Sequence, residues 1–158
     1  MALFSGCASP TTVKPKAYSI EIKIDPSLVG TSLQMDLVGA NELADLPKWQ
    51  NYSVTSYWQP GNALRRDAVK STLSFGRGTP DTQVLLATDS RWAEWLRTGA
   101  VYLVVVADLP VAVSDQVGNA DPRRIILPLD QNAWPRKTEK IQILVQESGL
   151  RLVTPRRH

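Results

Sequence analysis

The residues able to do chemistry are few, and their types already exclude much. A single histidine, His158, stands at the far end of the sequence, and a single cysteine, Cys7, near its start. One terminal histidine leaves no imidazole base for a serine or cysteine nucleophile. One cysteine leaves no intrachain disulfide and no multi-cysteine zinc site. Carboxylate pairs such as Glu42 and Asp45 have the spacing of a solvated helix face, with no apolar surroundings to lift one of them into the range of a general acid. The Gly76-Arg77-Gly78 stretch has no following helix and no lysine-serine pair, so it reads as a turn rather than a phosphate cradle. The expectation is a protein that is not an enzyme, with no cofactor and no metal.

Two features remain. The first is Phe4-Ser5-Gly6-Cys7, an apolar residue and two small ones before a cysteine, which resembles the lipobox of bacterial lipoprotein signals. Small residues there admit a peptidase beside a thiol that carries diacylglycerol as a thioether. Residues 8–16, rich in Ser, Thr, Pro and Lys and without a hydrophobic period, read as an extended tether. No apolar run approaches the ~20 residues a spanning helix needs, so membrane attachment is expected through the lipid on Cys7 alone. Acyl chains contribute ~0.8 kcal/mol per buried methylene, and more than one chain makes the attachment stable.

The second feature is the crowding of Trp49, Tyr52, Tyr57 and Trp58. At helical spacing such aromatics are laid against a sheet as core. Exposed, they would form a stacking platform for a glycan or peptidoglycan. The net charge of +3 is spread over doublets, Arg65-Arg66, Arg123-Arg124, Arg136-Lys137 and Arg156-Arg157. These read as solvated surface, and no nucleic-acid groove is expected from them.

The elements that must position these residues are mostly strands. The run at 100–109, AVYLVVVADL between Gly99 and Pro110, is apolar at successive positions and rich in β-branched residues. It predicts a strand buried on both faces, needing cover on each side. Residues 18–24 alternate, with Tyr18, Ile20, Ile22 and Ile24 on one face, and residues 33–38 alternate again through Leu33, Met35 and Leu37. The short loop between them, residues 25–31, suggests an antiparallel pair. Its Leu28 and Val29 either tuck under the domain or stand exposed for a partner. Residues 39–67 read as a helical insert. Further strands are expected at 69–75, 82–88, 123–129, 139–146 and 150–153. A short helix at 91–98 carries Trp92, Trp95 and Leu96 at i, i+3 and i+4, capped by Asp89 or Ser90. The longest loop is 108–122. The domains are then 1–17, cysteine and tether; 18–154, one β-sandwich; and 155–158, a basic tail.

This order of elements, behind a lipobox-like cysteine, resembles the outer-membrane lipoprotein of bacterial type VI secretion systems, the TssJ family. The resemblance rests on Ile24-Asp25-Pro26 with Gly30 before the second strand, the insert around Trp49 and Arg65, and the run from Val101 to Leu109. It implies an all-β fold, a transthyretin-like β-sandwich with a small helical insertion and one further short helix. It also implies a non-enzymatic, lipid-anchored adaptor on the periplasmic face of the outer membrane. There the loop after the first strand, Asp25, Pro26, Ser27, Leu28, Val29 and Gly30, would bind an inner-membrane protein partner of the secretion complex. The other reading from the residues is a secreted or periplasmic ligand-binding sandwich that uses Trp49, Tyr52, Tyr57 and Trp58.

Overall fold

A computed structural model describes residues 12–42, 44–110 and 113–158. Cys7 and the residues around it lie outside the described residues. Among the described residues, eight strands form two four-stranded sheets. In chain order they are β1 (Ser19–Ile24), β2 (Leu33–Ala40), β3 (Lys70–Phe75), β4 (Thr82–Leu85), β5 (Tyr102–Ala107), β6 (Arg124–Pro128), β7 (Lys140–Gln146) and β8 (Gly149–Leu152). The first sheet runs β4-β1-β7-β8 and the second β3-β2-β5-β6. Four short helices accompany them: α1 (Leu46–Asn51), α2 (Val54–Tyr57), α3 (Ala63–Asp67) and α4 (Ser90–Arg97).

The alternation on β1 becomes a buried face of Ile20, Ile22 and Ile24, each at most 2% exposed. Facing them across the sandwich are Leu33, Met35 and Leu37 of β2 and Leu103, Val105 and Ala107 of β5. The other face of β5, Val104 and Val106, is also buried, together with Val38, Ala40, Trp49, Val54 and Tyr57. The apolar run thus has cover on both faces, one packed against the opposing sheet and the other under the α1–α3 insert. Each such side chain taken fully out of water contributes ~1.5–3 kcal/mol.

The pairing of β1 with β2 is not found. They lie in different sheets, and the 25–31 loop crosses between them. β1 pairs instead with β4 antiparallel and with β7 parallel, Ile20 opposite Leu85 and Ile141. An edge of hydrogen-bonding groups is chemically alike on every strand, so a short loop alone does not decide which strand claims it.

Helix α4 closes one end of the inter-sheet core. Asp89 caps it by accepting from the Arg91 amide, and Trp92 and Trp95 are buried at the core. Trp95 lies against Gly39, where a Cβ would stand 2.5 Å from its Cγ. Gly99, at φ +87°, turns the chain out of α4 and into β5, a backbone conformation that favours glycine.

Main-chain contacts extend beyond the strands at both ends of the domain. Pro15 bridges to Asp130, and the Lys16 amide donates to the Leu129 carbonyl at 3.1 Å, so the end of the expected tether is tied to the domain. The 155–158 tail is tied too, since the Arg157 amide donates to the Ala133 carbonyl at 2.9 Å.

Candidate functional site

Strand directions sort the loops into two groups. β1 ends at Ile24, beside Val145 of β7 and close to the start of β4. β2 starts opposite the end of β3, Leu33 against Phe75, and Met35 meets Ala107 at the end of β5. Loops 25–32, 76–81, 108–123 and 147–148 therefore gather at one end of the sandwich. Residues 14–16, the 129–139 connection and the C-terminal tail gather at the other, held by Pro15 on Asp130 and Arg157 on Ala133.

At the loop end the first crossing is a single 3-10 turn, Pro26–Leu28. Asp25 caps it, accepting from the Ser27 amide at 3.2 Å and from the Ser27 hydroxyl at 2.7 Å. These bonds hold the Asp25 carboxyl below its usual range. Gly30 completes the turn at φ +85°. Two adjacent apolar residues then part company: Leu28 is 2% exposed and joins the core, whereas Val29 is 58% exposed. The expectation that Leu28 meets a partner is corrected on this point, because its side chain fills the gap between the sheets. Val29 stands free beside it.

The long loop is held by a charged network built on Arg123 and Arg124, a doublet buried here rather than solvated as its sequence suggests. Arg123 is only 6% exposed and Arg124 only 1%. Arg123 donates to Asp121 through Nε at 3.0 Å and Nη2 at 2.9 Å, to Asp115 at 2.7 Å and to the Thr55 hydroxyl at 3.0 Å. Asp115 also accepts from the Ser53 hydroxyl at 2.6 Å and the Thr55 amide at 3.0 Å. The Ser53 bond is the largest of the influences that hold the Asp115 carboxyl far below the ordinary range. For Asp121, burial pushes the carboxyl up, but bonds from Arg123 and the backbone amides of Arg123 and Gln116 outweigh it. Arg124 donates to the carbonyls of Gly118, Tyr52 and Gln116. The two arginines thus stitch residues 115–121 to the helical insert and leave Val117 projecting, 64% exposed. The clue in the sequence was the acidic pair Asp115 and Asp121 just upstream of two arginines.

The aromatic cluster is core. Trp49 is 2% exposed and Tyr57 fully buried, with rings packed edge to face 5.9 Å apart. Tyr52 and Trp58 are half-buried, and Arg124 and Arg65 cover their rings at 4.7 Å. A glycan platform needs open ring faces beside polar groups; Trp49 and Tyr57 are buried, and Tyr52 and Trp58 each carry an arginine over the ring. Beneath the insert, fully buried Asp36 accepts from Tyr57 at 2.7 Å, Arg65 at 2.8 Å and Thr72 at 2.6 Å. Glu42 is exposed, and Asp45 pairs with Lys48 at 3.4 Å. Among the described residues no group of three or more His, Cys, Asp or Glu is placed to hold a metal ion. No helix among them is long and apolar enough to cross a membrane.

No protein-family model matches the sequence, and no curated protein matches it. Solved structures do match in fold. One is Serratia marcescens Lip, a membrane-bound component of the type VI secretion system, at TM-score 0.52 and 16% identity, covering 90% of this chain and 99% of that one. Another is the type VI secretion lipoprotein TssJ1 of Pseudomonas aeruginosa, at TM-score 0.52 and 14% identity over 92% of this chain and all of that one. A third belongs to the structure of the type VI protein TssM C-terminal domain from EAEC, at TM-score 0.54 and 11% identity, covering 86% of this chain and 99% of that one. The chain has a TssJ-like β-sandwich fold.

Proposed function

We propose that this chain is a lipid-anchored adaptor of a type VI-like secretion complex, working on the periplasmic face of the outer membrane. In this reading Cys7 carries the acyl anchor, and the loops at the far end of the sandwich meet an inner-membrane protein partner. The observation that carries it is the polarity of the domain. The segment leading back toward Cys7 joins one end, at Pro15 and Asp130, while loop 25–30 and its exposed Val29 occupy the other. A domain hung from its N-terminus would hold those loops away from the membrane, where a partner crossing the envelope could reach them. The fold shared with membrane-bound type VI components supports the same assignment.

The test joins a complete lipoprotein signal at Leu3 and expresses the protein in a diderm bacterium beside the secretion complex. The protein should incorporate labelled palmitate and sediment with the outer membrane, and Cys7→Ser should lose the label. In the same cells Val29→Asp should keep the label and the fold but lose co-purification of the inner-membrane component. Unlabelled wild-type protein would remove the anchor, and undiminished capture by Val29→Asp would remove this loop from the interface. Because a supplied signal imposes its own processing, the genomic sequence upstream of Met1 is to be read as well. An in-frame basic and apolar segment is expected there, and its absence would leave Cys7 an ordinary thiol.

A further inference from the structure

Charge is segregated along the long axis of the sandwich. At the end where the N-terminal segment joins, Lys14, Lys16, Arg136, Lys137, Arg156 and Arg157 converge from three separate stretches of sequence. Main-chain pairing brings them together: Gln131 donates to Lys14 at 3.0 Å, Lys16 to Leu129 at 3.1 Å and Arg157 to Ala133 at 2.9 Å. Two cationic heads rest on buried-ring aromatics, Lys16 5.1 Å from the Tyr18 ring centroid and Arg156 5.9 Å from that of Trp134. All but Lys16 are exposed. The carboxylates nearby are Glu42, Asp130 and Glu139, fewer than the six cations, so this end carries a positive excess. The loop end is the reverse. There Asp25, Asp81, Asp108, Asp115 and Glu147 outnumber the exposed Lys23 and Arg77, and Arg123 is already committed to Asp115 and Asp121.

We infer that this cationic end docks flat on anionic phospholipid headgroups of the leaflet from which the chain hangs, fixing the loop end to point away from it. The inference deepens the anchored-adaptor reading and rests on it for the side of the molecule that meets lipid. Chain length supports the contact. The seven Cα–Cα steps from Cys7 to Lys14 span at most ~25 Å when fully extended. An anchor at Cys7 therefore keeps these cations close enough to reach the surface, where each acts within a Debye length of ~8–10 Å. Lysines and arginines near an anionic surface each strengthen binding about fivefold, which is ~1 kcal/mol per charge. Lipid on Cys7 would then supply attachment and the cationic end would supply orientation.

The test uses the full unlipidated chain, so that it reads the surface and not the anchor. Binding is measured by co-sedimentation with vesicles of equal parts phosphatidylglycerol and phosphatidylethanolamine, and with phosphatidylcholine alone. The chain should bind the first, release as salt is raised, and ignore the second. Lys137→Glu, Arg156→Glu and Arg157→Glu together should weaken binding by at least ~100-fold, from about fivefold per charge over three sites. Lys23→Glu, Arg77→Glu and Arg151→Glu, the same change in net charge placed elsewhere, should weaken it far less. A second set, Lys14→Gln, Arg136→Gln and Lys137→Gln, leaves the stack on Trp134 intact and should still lose binding, which separates charge from misfolding. Equal binding to both vesicles, equal losses from the first two sets, or unchanged binding of the glutamine set would overturn the inference. Failure here leaves lipidation of Cys7 standing, and failure of palmitate labelling leaves the vesicle result standing.

Discussion

Replacing Arg65 by Met should show that the helical insert is clamped to the sheet by charge as well as by packing. Asp36 is fully buried on the outer face of β2, and Arg65 is the cation bonded to it, 2.8 Å away. Tyr57 and Thr72 supply its other donors. Taking Arg65 away leaves a carboxylate under α1–α3 without its counter-charge, and breaking a buried pair in this way costs ~3–5 kcal/mol. The Arg65 side chain is 30% exposed, so water reaches the site and the cost falls to ~2–4 kcal/mol. In an Asp36→Asn background the site is neutral, with the amide oxygen accepting from Tyr57 and the amide N–H donating to the Thr72 hydroxyl oxygen, and Arg65→Met should then cost ~1 kcal/mol or less, chiefly the lost stacking on Trp58. Urea unfolding of the four proteins of this cycle, followed by tryptophan fluorescence and by circular dichroism, gives the coupling directly. It should be ~1.5–3 kcal/mol. A coupling below ~0.5 kcal/mol, the level of an ordinary surface pair, would refute the clamp.

Leu28→Asp should unfold the domain or lower its stability by several kcal/mol, roughly the cost of an unpaired buried charge, while Val29→Asp should change it by less than ~0.5 kcal/mol; thermal melts of the two compare them directly. Gly39→Ala should cost ~1–3 kcal/mol or more through overpacking, since the new methyl would meet Trp95 Cγ at 2.5 Å, and Trp95→Leu in the same chain should recover part of that loss in urea unfolding. The folded Asp115 carboxyl is held below its ordinary value, so its contribution is complete above the unfolded pKa, near ~4, and fades as pH falls toward the folded one. Asp115→Asn should therefore be less stable than wild type at pH ~7, with the gap closing on acidification below ~4; a gap that stays constant across acid titration of stability would contradict the network.

Local patterns in the chain were sufficient for most of the elements. Alternation at Ile20, Ile22 and Ile24 set β1, and the unbroken run through Val104, Val105 and Val106 announced a strand with two buried faces. Asp89, Trp92, Trp95 and Gly99 marked the start, buried face and stop of α4. Such signals depend on a residue and its neighbours within a turn or two, so sequence carries them whole. The aromatic insert was legible for the same reason, as a helical segment with one apolar face to cover.

Tertiary structure alone decided the partners. Whether β1 claims β2 or β7 depends on backbone edges that are chemically identical on all strands, and only the competition of the whole sheet selects one. The same holds for charge. Arg123-Arg124 and Arg136-Lys137 are equivalent doublets on paper, yet the first is buried on Asp115, Asp121 and three carbonyls and the second is in solvent. An arginine is buried when long-range folding brings acceptors to its fork, and left exposed when it does not. Leu28 and Val29 differ for a comparable reason, since one 3-10 turn sends one side chain inward and its neighbour out. The gathering of loops at one end, and of lysines and arginines from three distant stretches at the other, likewise follows from strand direction and pairing, which no local window of sequence contains.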